Sequence, residues 1–430
     1  MKRLNILISS HELSPYLGSE CAVGWNIVTR LGKYHNITVL YAKSNQFGTQ
    51  NYFKHVKNYI ENYGEITGVK FIEISQPKST VFISEINSFI SKNNSIGFPP
   101  LYFLGYRLWQ NKAYKVAVNL LAQEKFDIIH HLTSISFREP GSLWKINIPF
   151  VWGPCSGISN IPFSYLRENS FTGKLIDFSR YINNNIIKTY STKIHKAVKS
   201  SSLIYCVSKS DFHYFDKLGH KNIKSMIETG TNVQENAVII ERRNIIKILW
   251  IGRIDFYKGL HIFLESLSQL RIDEYLIKVE IVGEGPLKLK YEKVLKNYNL
   301  PFIKFTGIIS QKEVIERLSQ DTDILVHTSF KEGTPHVILE ALSCGVPVIC
   351  HDAFGMATAI NDKSGIKIPL SSPKISIAGF KNAILQLINN PEELQRLKEG
   401  AINRAKELSW DSMTKKIAED YNSIALTKSK

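Results

Sequence analysis

Cysteine is scarce in this sequence, which has five among 430 residues. The five are odd in number and lack the spacing of a metal site, so they argue against a disulfide framework and against a cysteine metal cluster. Small buried thiols in a reducing compartment are expected instead. The cysteines are Cys21, Cys155, Cys206, Cys344 and Cys350.

Long hydrophobic runs are also missing. No stretch reaches the roughly 18 uninterrupted apolar residues that a membrane-spanning helix needs. At the start, Lys2 and Arg3 precede an apolar run that Asn5, His11 and Glu12 interrupt, so the run lacks the core of a signal peptide. The sequence therefore predicts a cytoplasmic protein, either soluble or attached to a membrane surface.

Acidic residues are few in the first half of the chain. The formal net charge is +16; residues 1–232 hold 27 Lys and Arg against 14 Asp and Glu, whereas residues 233–430 hold 27 against 24. Two stretches, 86–123 and 180–210, contain no acid at all. A partner that attracts cations is therefore expected to meet the first half.

The remaining composition, 43% hydrophobic and 21% charged, is that of a globular protein. Short β-rich runs alternate with amphipathic helical patterns, which predicts an α/β fold of parallel sheets covered by helices. So many strands would make one sheet unusually wide, so two Rossmann-like domains facing across a cleft are expected. The candidate strands are 5–9, 37–41, 69–74, 127–130, 149–152 and 203–207, then 246–251, 278–282, 303–305, 323–327 and 346–350.

The first candidate binding motif is Gly252-Arg-Ile-Asp-Phe-Tyr-Lys-Gly259, directly after a candidate strand and before a helical pattern. Ligands of open parallel sheets bind beyond the carboxyl ends of the strands, where loops meet helix N-termini. Arg253 offers a planar fork and Lys258 a mobile point charge, a pair suited to a diphosphate. The alternative is a solvated turn with two exposed cations.

The second candidate motif runs from Ser329 to Val348 and follows another candidate strand. Pro335 stands where a first helical turn would begin. Free backbone N–H groups near Gly333 and Thr334 can therefore bind phosphate oxygens, assisted by the helix dipole.

Two glutamates in this motif, Glu332 and Glu340, lie eight positions apart, about 12 Å along a helix axis. The paired carboxylates of a glycosidase need roughly 5–9.5 Å, which excludes that chemistry. The spacing suits two hydrogen-bond acceptors that bracket an extended nucleotide-sugar. The alternative is a dipole-compensating Glu332 and a chance Glu340, but Glu340 sits in an apolar run, where an idle carboxylate is costly.

Together the two motifs resemble the donor site of retaining glycosyltransferases of family four, within the glycosyl transferases group 1. The Glu-x7-Glu spacing and the trailing Gly345-Val-Pro-Val348 match that family closely. Gly283-Glu-Gly-Pro286, Phe305-Thr-Gly307 and the helix that follows Trp410 extend the resemblance over most of the chain.

The resemblance implies a GT-B-type fold, in which two Rossmann-like domains face each other across a donor/acceptor cleft. Residues 1–232 would form the acceptor-side domain and residues 233–410 the donor-binding domain, with the boundary near Gly230–Arg243. A last helix at residues 411–430 would pack back on the first domain.

The resemblance also implies roles for single residues. Arg253 and Lys258 would bind the donor diphosphate, Glu340 would hold the ribose hydroxyls, and Glu332 would contact the sugar hydroxyls as a catalytic residue. The backbone beside the sugar and phosphate would be that of Gly333, Thr334 and Pro335.

Two segments of the first domain carry the rest of the resemblance. Leu17-Gly-Ser-Glu20 resembles the family's Gly-Gly-x-Glu loop, with Gly18 alone remaining of the glycine pair to approach the diphosphate. Asp127-Ile-Ile-His-His131 corresponds to a strand end that carries a catalytic, sugar-contacting histidine. His131 is preferred over His130, and a purely structural histidine is the alternative.

The chemistry implied by the resemblance requires no protein nucleophile, no metal and no cofactor besides the nucleotide-sugar. Cationic side chains and a helix N-terminus would stabilise the charge growing on the leaving diphosphate, which accepts the proton of the acceptor hydroxyl. Asp321-Thr-Asp323 mimics the Asp-x-Asp metal site of other glycosyltransferases. It leads into a candidate buried strand, where an aspartate commonly ends a turn.

Basic and aromatic residues are interleaved in the acid-free stretches. Lys193, Lys196 and Lys199 recur every three positions and share a helix face. An anionic membrane surface and a polyprenyl-diphosphate-linked acceptor both suit such a surface, and core aromatics with a solvated charged face are the alternative. Nucleic acid is not expected, since no RNA- or DNA-binding motif occurs. The residues available for burial on that helix are Ile187, Tyr190, Ile194 and Val198.

As a whole, the sequence predicts a retaining hexosyltransferase that moves a sugar from a UDP- or GDP-sugar to a saccharide acceptor. The expected pathway is a bacterial surface polysaccharide such as O-antigen or capsule, and the expected location is the inner face of the cell membrane. The alternative is a non-catalytic nucleotide-sugar or polyanion-binding protein.

Overall fold

The computed structural model describes residues 2–90, 97–233, 245–270, 276–298 and 300–428. Two all-parallel sheets with helices packed against them form two Rossmann-like domains. The α/β class and the two-domain architecture predicted from the sequence are therefore confirmed. Most of the predicted boundary segment, from residue 234 onward, lies outside the described residues.

The first sheet has seven strands, in the order β3-β2-β1-β4-β5-β6-β7. They are β1 Asn5–Ser10, β2 Asn36–Ala42, β3 Val69–Ile74, β4 Ile128–Thr133, β5 Phe150–Cys155, β6 Ser201–Cys206 and β7 Ile223–Ser225. Every residue of β4 and β5 is buried, so both faces of the sheet centre are covered.

The second sheet has six strands, in the order β10-β9-β8-β11-β12-β13. They are β8 Ile246–Ile251, β9 Ile277–Val282, β10 Ile303–Gly307, β11 Ile324–His327, β12 Val348–His351 and β13 Gly365–Ile368. The sequence did not predict β7 and β13. Both are edge strands, of three and four residues, and each contains too few apolar residues to show a period.

Helices connect the strands within each domain. The first domain contains α1 Glu20–Leu31, α2 Tyr52–Tyr63, α3 Lys78–Ile90, α4 Pro99–Leu121, α5 Phe163–Leu166, α6 Phe171–Tyr190, α7 Thr192–Ser200 and α8 Lys209–Lys217, with a 3₁₀ turn at Leu143–Lys145. The second contains α9 Leu260–Ser268, α10 Lys288–Tyr298, α11 Gln311–Asp321, α12 His336–Ser343, α13 Phe354–Ala359, α14 Pro373–Asn389 and α15 Pro391–Glu407. The last helix is α16 Trp410–Lys428.

Helix α16 follows the second domain in the chain but packs on the first. His35 Nε2 lies 3.2 Å from the Ala418 carbonyl oxygen, and Tyr205 Oη donates a 2.8 Å hydrogen bond to Asp420. Tyr421 is fully buried, with its hydroxyl 2.5 Å from His130 Nδ1 at the centre of the first sheet. The two domains are thus joined twice, by the chain between the sheets and by this helix.

Candidate active site

The carboxyl ends of β8 and β11 form the floor of the candidate donor site. In the second sheet β9 and β10 lie on one side of this strand pair, and β12 and β13 on the other. Ligands of open parallel sheets bind at such a switch point. The loops after β8 and β11 are the two motifs identified in the sequence, and they touch: Phe330 N donates to the Tyr257 carbonyl at 2.8 Å, and Thr328 Oγ1 donates to the Lys258 carbonyl at 2.9 Å.

Glycine is required where these loops cross. Gly259 has a φ of +64°, and a Cβ there would lie 2.3 Å from the carbonyl oxygen of Thr328. Gly283 has a φ of +141°, and a Cβ there would lie 1.9 Å from the carbonyl oxygen of Gly252. The Gly283-Glu-Gly motif therefore serves close packing between the loops that follow β8 and β9.

Lys258 and Glu332 form an ion pair across the two loops. His327 Nε2 lies 2.7 Å from the other carboxylate oxygen of Glu332. Burial alone raises the pKa of Glu332, but His327 and Lys258 outweigh burial and lower this pKa to about 2. The site therefore holds a permanently ionised acceptor beside a cation. His327, the last residue of β11, was not predicted as a site residue, although its place at a strand end was a usable signal.

Arg253 stands apart from this pair. Its side chain is 71% exposed and lies 3.6 Å from the carboxylate of Asp255. The structure thus brings Lys258 to Glu332 and leaves Arg253 at the surface of the same loop. Its contact with a donor diphosphate stays a prediction.

The backbone N–H groups ahead of α12 have a partner that the sequence did not predict. Glu228 Oε1 accepts a 2.9 Å hydrogen bond from Thr334 N, and a Cβ at Gly333 would lie 1.9 Å from the same oxygen. Its Oε2 is buried and has no hydrogen-bond partner among the described residues. A carboxylate thus occupies the place predicted for the donor, between Gly333 and Pro335.

The charge of Glu228 depends on pH near neutrality. Burial raises the pKa of this carboxyl to about 7; the N–H of Thr334 opposes the shift, and the nearby Asp211 and Glu332 add to it. Near pH 7 the group therefore divides between a neutral acid and an anion.

Glu340 lies in a narrow cavity of about 440 Å³ between the two domains. Gln311 Nε2 donates a 3.0 Å hydrogen bond to Glu340 Oε1. The sequence argument treated Glu340 as a costly carboxylate in an apolar run, but its side chain is partly exposed, so that argument was wrong. Its predicted role in holding the ribose stays a prediction. The narrow cavity is lined by Ala22, Asn26, Gly230, Gln311, His336 and Glu340, among others.

A wide cavity of about 920 Å³ opens at the equivalent switch point of the first sheet, between β1 and β4. Glu12, Glu20 and Tyr102 line it from the first domain, and Lys331 lines it from the second. Burial raises the pKa of Glu12, and burial together with Glu12 raises the pKa of Glu20 well above its usual value. Two carboxyl groups with raised pKa values thus face the wide cavity.

Gly18 directly precedes Ser19, which lines the wide cavity. It is exposed, and an added Cβ would meet nothing within 4 Å, so a ligand has room to approach. The left-handed conformation of this loop falls on Ser19, with a φ of +55°, rather than on Gly18. The predicted approach of Gly18 to a diphosphate stays a prediction.

Neither histidine at the end of β4 lines the narrow or the wide cavity. Both ring nitrogens of His130 have partners, Tyr421 Oη at 2.5 Å and a backbone carbonyl at 2.7 Å, so it is a packing residue. His131 is fully buried, with Nε2 3.4 Å from Tyr106 Oη, which accepts a 2.9 Å hydrogen bond from Ser134 N. Tyr106 connects His131 to Ser134, which lines the wide cavity. The predicted contact of His131 with a sugar stays a prediction.

The aspartates that mimic a metal motif form ion pairs with lysines. Asp323 is buried and accepts hydrogen bonds from Lys398 Nζ at 2.7 Å and from Lys247 N at 3.0 Å. Asp321 pairs with the Lys247 side chain. The two carboxylates thus fasten the turn before β11 to β8 and α15.

Comparison with known proteins agrees with this architecture. The family described as "Glycosyl transferases group 1" matches residues 234–404, which include both motifs. Protein CapJ of Staphylococcus aureus is 29% identical over 202 residues, 46% of this chain and 48% of CapJ, so the match spans about half of that protein. A GDP-mannose-dependent alpha-(1-6)-phosphatidylinositol dimannoside mannosyltransferase of Mycobacterium tuberculosis is 21% identical over 340 residues, 76% of this chain and 81% of that protein.

Among solved structures, HepE of Anabaena in complex with UDP and glucose is similar in fold. The likeness covers 98% of this chain and 100% of HepE, with a TM-score of 0.55 and 17% sequence identity. Residues 234–404, the domain that holds Lys258 and Glu332, thus match the glycosyl transferases group 1 family, and the whole chain has a GT-B-type fold similar to that of HepE.

Proposed function

We propose that this chain is a retaining, metal-independent hexosyltransferase that moves a sugar from a UDP- or GDP-sugar to a saccharide acceptor on a lipid diphosphate. The pathway proposed is synthesis of a bacterial surface polysaccharide. The observation that carries the proposal is the ion pair of Lys258 and Glu332 at the switch point of the second sheet.

The loop that holds Glu332 lies between the two cavities. Lys331 lines the wide cavity, and His336 lines the narrow one. A donor with its ribose near Glu340 in the narrow cavity and an acceptor in the wide cavity would therefore meet at Glu332. The name of the mycobacterial relative supports such a pairing, since it combines a GDP-linked sugar with a phosphatidylinositol-based acceptor.

In the proposed mechanism no protein atom bonds to the sugar. When the donor binds, the ammonium group of Lys258 leaves Glu332 and pairs with the donor diphosphate. The N-terminus of α12 adds positive potential as negative charge grows on the leaving phosphate. Glu332 keeps its contact with His327, which lowers its pKa, so it stays ionised at neutral pH and accepts hydrogen bonds from sugar hydroxyls rather than protons. The leaving phosphate takes the proton of the attacking hydroxyl on the same face of the sugar, which retains the anomeric configuration.

Isotope transfer tests the proposal. UDP- and GDP-sugars are first screened for thermal stabilisation of the protein, because a donor that binds only the folded state raises its apparent stability. Transfer from the stabilising donor to a lipid-linked saccharide is then measured. We expect Lys258→Ala and Glu332→Gln to lower the rate by about 100-fold or more, since each removes an electrostatic contact at the reacting centre.

The matched control is the pair Lys57→Ala and Glu61→Ala, which removes an exposed ion pair of 3.5 Å on α2. Folded Lys258 and Glu332 variants that keep the full transfer rate would overturn the site assignment. Stabilisation by a nucleotide-sugar with no transfer to any acceptor would instead support the non-catalytic alternative.

The membrane part of the proposal rests on helix α6. Its buried side chains include Asp177 and Asn184, while a stripe of large apolar side chains on the helix is exposed, the reverse of an ordinary surface helix. Such a patch is typical of an interaction surface. No helix among the described residues is long and apolar enough to span a bilayer. The exposed stripe consists of Phe171, Leu175, Phe178, Ile182 and Ile186.

Neighbouring elements add apolar and basic groups. Helix α3 exposes Phe82, Phe89 and Ile90. On α7 the predicted basic face is smaller than expected, because Lys193 lies 3.0 Å from the buried carboxylate of Glu139, leaving Lys196 and Lys199 at the surface. Tyr190, predicted to be available for burial, is 76% exposed.

Co-sedimentation with vesicles of phosphatidylcholine and phosphatidylglycerol tests the membrane contact. We expect the double variant Ile182→Asp/Ile186→Asp to lose most of the vesicle binding of the wild type at low salt. The control, Leu289→Asp/Ile308→Asp, changes two apolar residues of the second domain that are more exposed than Ile182 and Ile186, and it should bind as the wild type does. Wild-type protein that stays in the supernatant would overturn this part of the proposal.

A further inference from the structure

Four cationic side chains converge beside the wide cavity, and the donor site does not account for them. Arg138 follows β4, Arg180 and Lys188 lie on α6, and Lys331 precedes Glu332 in the second domain. Arg138 and Lys331 line the wide cavity, and Arg180 and Lys331 also line a small pocket against α6. We call these four residues the basic cluster.

Acidic partners are too few for the basic cluster. Asp177 pairs with Arg180 at 3.0 Å and also accepts a 3.1 Å hydrogen bond from Tyr257 Oη. In the described part of the chain, no carboxylate oxygen lies within 4.0 Å of Arg138, Lys188 or Lys331.

Two of the cations donate hydrogen bonds to uncharged oxygen atoms. Arg138 donates to the side-chain oxygen of Asn184 and, at 3.5 Å, to Ser136 Oγ. Lys188 Nζ donates to a backbone carbonyl at 3.4 Å. Glu139, next to Arg138 in the sequence, is fully buried and already paired with Arg107 and Lys193. Glu12 and Glu20 line the same cavity, but their pKa values are raised and neither forms an ion pair with the cluster. Among the described residues, the ion pairs of the cluster therefore leave an excess of positive charge.

Burial and mutual repulsion lower the pKa values of Lys331, Arg138 and Lys188. Burial lowers the pKa of Lys331 to about 7, with Arg180 and Arg138 adding to the effect. Burial and Arg180 lower the pKa of Arg138 to about 10, and burial and Arg138 lower the pKa of Lys188. Bringing four cations together against one carboxylate is unfavourable unless an anion binds among them.

We propose that Arg138 and Lys331, supported by Arg180 and Lys188, bind the phosphate groups at the reducing end of a polyprenyl-diphosphate-linked acceptor. This inference rests on the proposed function and extends it. Arginine and lysine at the wall of a cavity are the groups that recognise phosphate by charge and paired hydrogen bonds. Lys331 directly precedes Glu332, so a phosphate held there would keep the acceptor saccharide next to the donor sugar.

The surroundings favour a lipid-linked phosphate over a soluble one. The polar side of α6, with Arg180 and Lys188, faces the cluster, while its outer side carries the exposed apolar stripe. A diphosphate held by the cluster would have its polyprenyl chain leave along that stripe. The basic cluster thus suits the diphosphate end of a lipid-linked acceptor, and the apolar outer face of α6 suits its polyprenyl end.

Calorimetric titration tests the inference on full-length protein saturated with the nucleotide that stabilises it, so that the donor site is occupied. The probes are inorganic pyrophosphate and farnesyl diphosphate. We expect Arg138→Gln/Lys331→Gln to weaken the binding of both by at least tenfold. The control Lys415→Gln/Lys416→Gln removes two exposed cations on α16 and should not change it. Pyrophosphate affinity that is the same in wild type and in the double variant would overturn the site.

Farnesyl diphosphate distinguishes the two sources of phosphate. Binding tighter than that of pyrophosphate supports a lipid-linked acceptor, and equal binding overturns the lipid assignment. If the double variant does not fold, Lys331→Gln alone serves, since it removes a cation that has no ion pair in the structure. Nucleotide stabilisation that persists in the variants shows that the donor site is intact, so failure of this inference is distinct from failure of the proposed function.

Discussion

A single residue, Glu228, is placed to control donor affinity. Its carboxylate accepts a hydrogen bond from the N–H of Thr334. When ionised, it repels a diphosphate that binds at the same backbone N–H groups ahead of α12. We expect Glu228→Gln to bind the stabilising nucleoside diphosphate about tenfold more tightly, because the amide oxygen keeps the Thr334 hydrogen bond and the charge is lost. Calorimetry measures this affinity, with Glu61→Gln as the control. Weaker binding would show that Glu228 contacts the donor directly.

The same residue links stability to pH. The pKa of Glu228 is raised from 4.5 to about 7, so the folded state binds this proton more tightly than the unfolded chain does. Its destabilising effect therefore grows as the pH rises from about 4.5 to about 7 and is complete above that. We expect Glu228→Gln to be more stable than wild type at pH 8, on the order of 1–3 kcal/mol, and the difference to be smaller at pH 5.

Urea unfolding at both pH values measures this difference. The stability of Glu228→Gln will still depend on pH to some extent, because burial also raises the pKa of Asp211 and of Glu20. Stability curves of wild type and Glu228→Gln that run parallel from pH 5 to pH 8 would contradict the linkage.

At the scale of elements, local sequence signals located most of the fold and the donor loops. Strand β8 occupies the predicted run Ile246–Ile251, and β3 occupies the predicted run Val69–Ile74. Lys258 and Glu332 were found because each lies in a loop after a recognisable strand. A periodic sequence pattern predicts which residues share a helix face, but it does not predict which face packs against the protein. The pattern therefore could not show that the apolar face of α6 is exposed.

Contacts between distant parts of the chain were beyond such signals. Glu228 and Thr334 are 106 positions apart, and no spacing rule joins them. His131 is buried beside Tyr106 of α4, and its position at a strand end does not by itself reveal that burial. Candidate binding residues in the loops after strands are therefore easier to locate from the sequence than the side chains that other elements bring to them.

Helix α16 offers a test of how strongly one element supports another domain. Tyr421 is fully buried, and its hydroxyl is the partner of His130 Nδ1. We expect Tyr421→Ala to lower the free energy of unfolding by about 3–5 kcal/mol, because it leaves a large cavity against the first sheet. Tyr421→Phe should cost about 1–3 kcal/mol, since it leaves only a buried ring nitrogen without its partner.

Chemical denaturation of both variants, with Tyr63→Phe as an exposed control, measures these values. If Tyr421→Ala lost no more stability than Tyr421→Phe, the packing of α16 on the first domain would contribute little.

The uneven charge of the whole molecule gives the two halves different responses to salt. The first half holds the excess of basic residues, the basic cluster and the exposed apolar faces of α3 and α6, whereas residues 233–430 are close to neutral. Each basic residue near an anionic bilayer contributes about 1 kcal/mol, and this term is screened by salt. Burial of apolar side chains in the bilayer is not screened in this way.

Binding to anionic vesicles should therefore fall as salt rises from about 0.1 M to about 1 M, where the screening length shrinks from about 10 Å to about 3 Å, and then reach a plateau. The plateau reflects the apolar stripe of α6 and should disappear in Ile182→Asp/Ile186→Asp, while Lys196→Gln/Lys199→Gln should flatten the salt-sensitive part. Co-sedimentation over this range measures both terms. Equal binding to vesicles of phosphatidylcholine alone at low salt would show that the basic half does not face the membrane, because a neutral surface offers its charge nothing to attract.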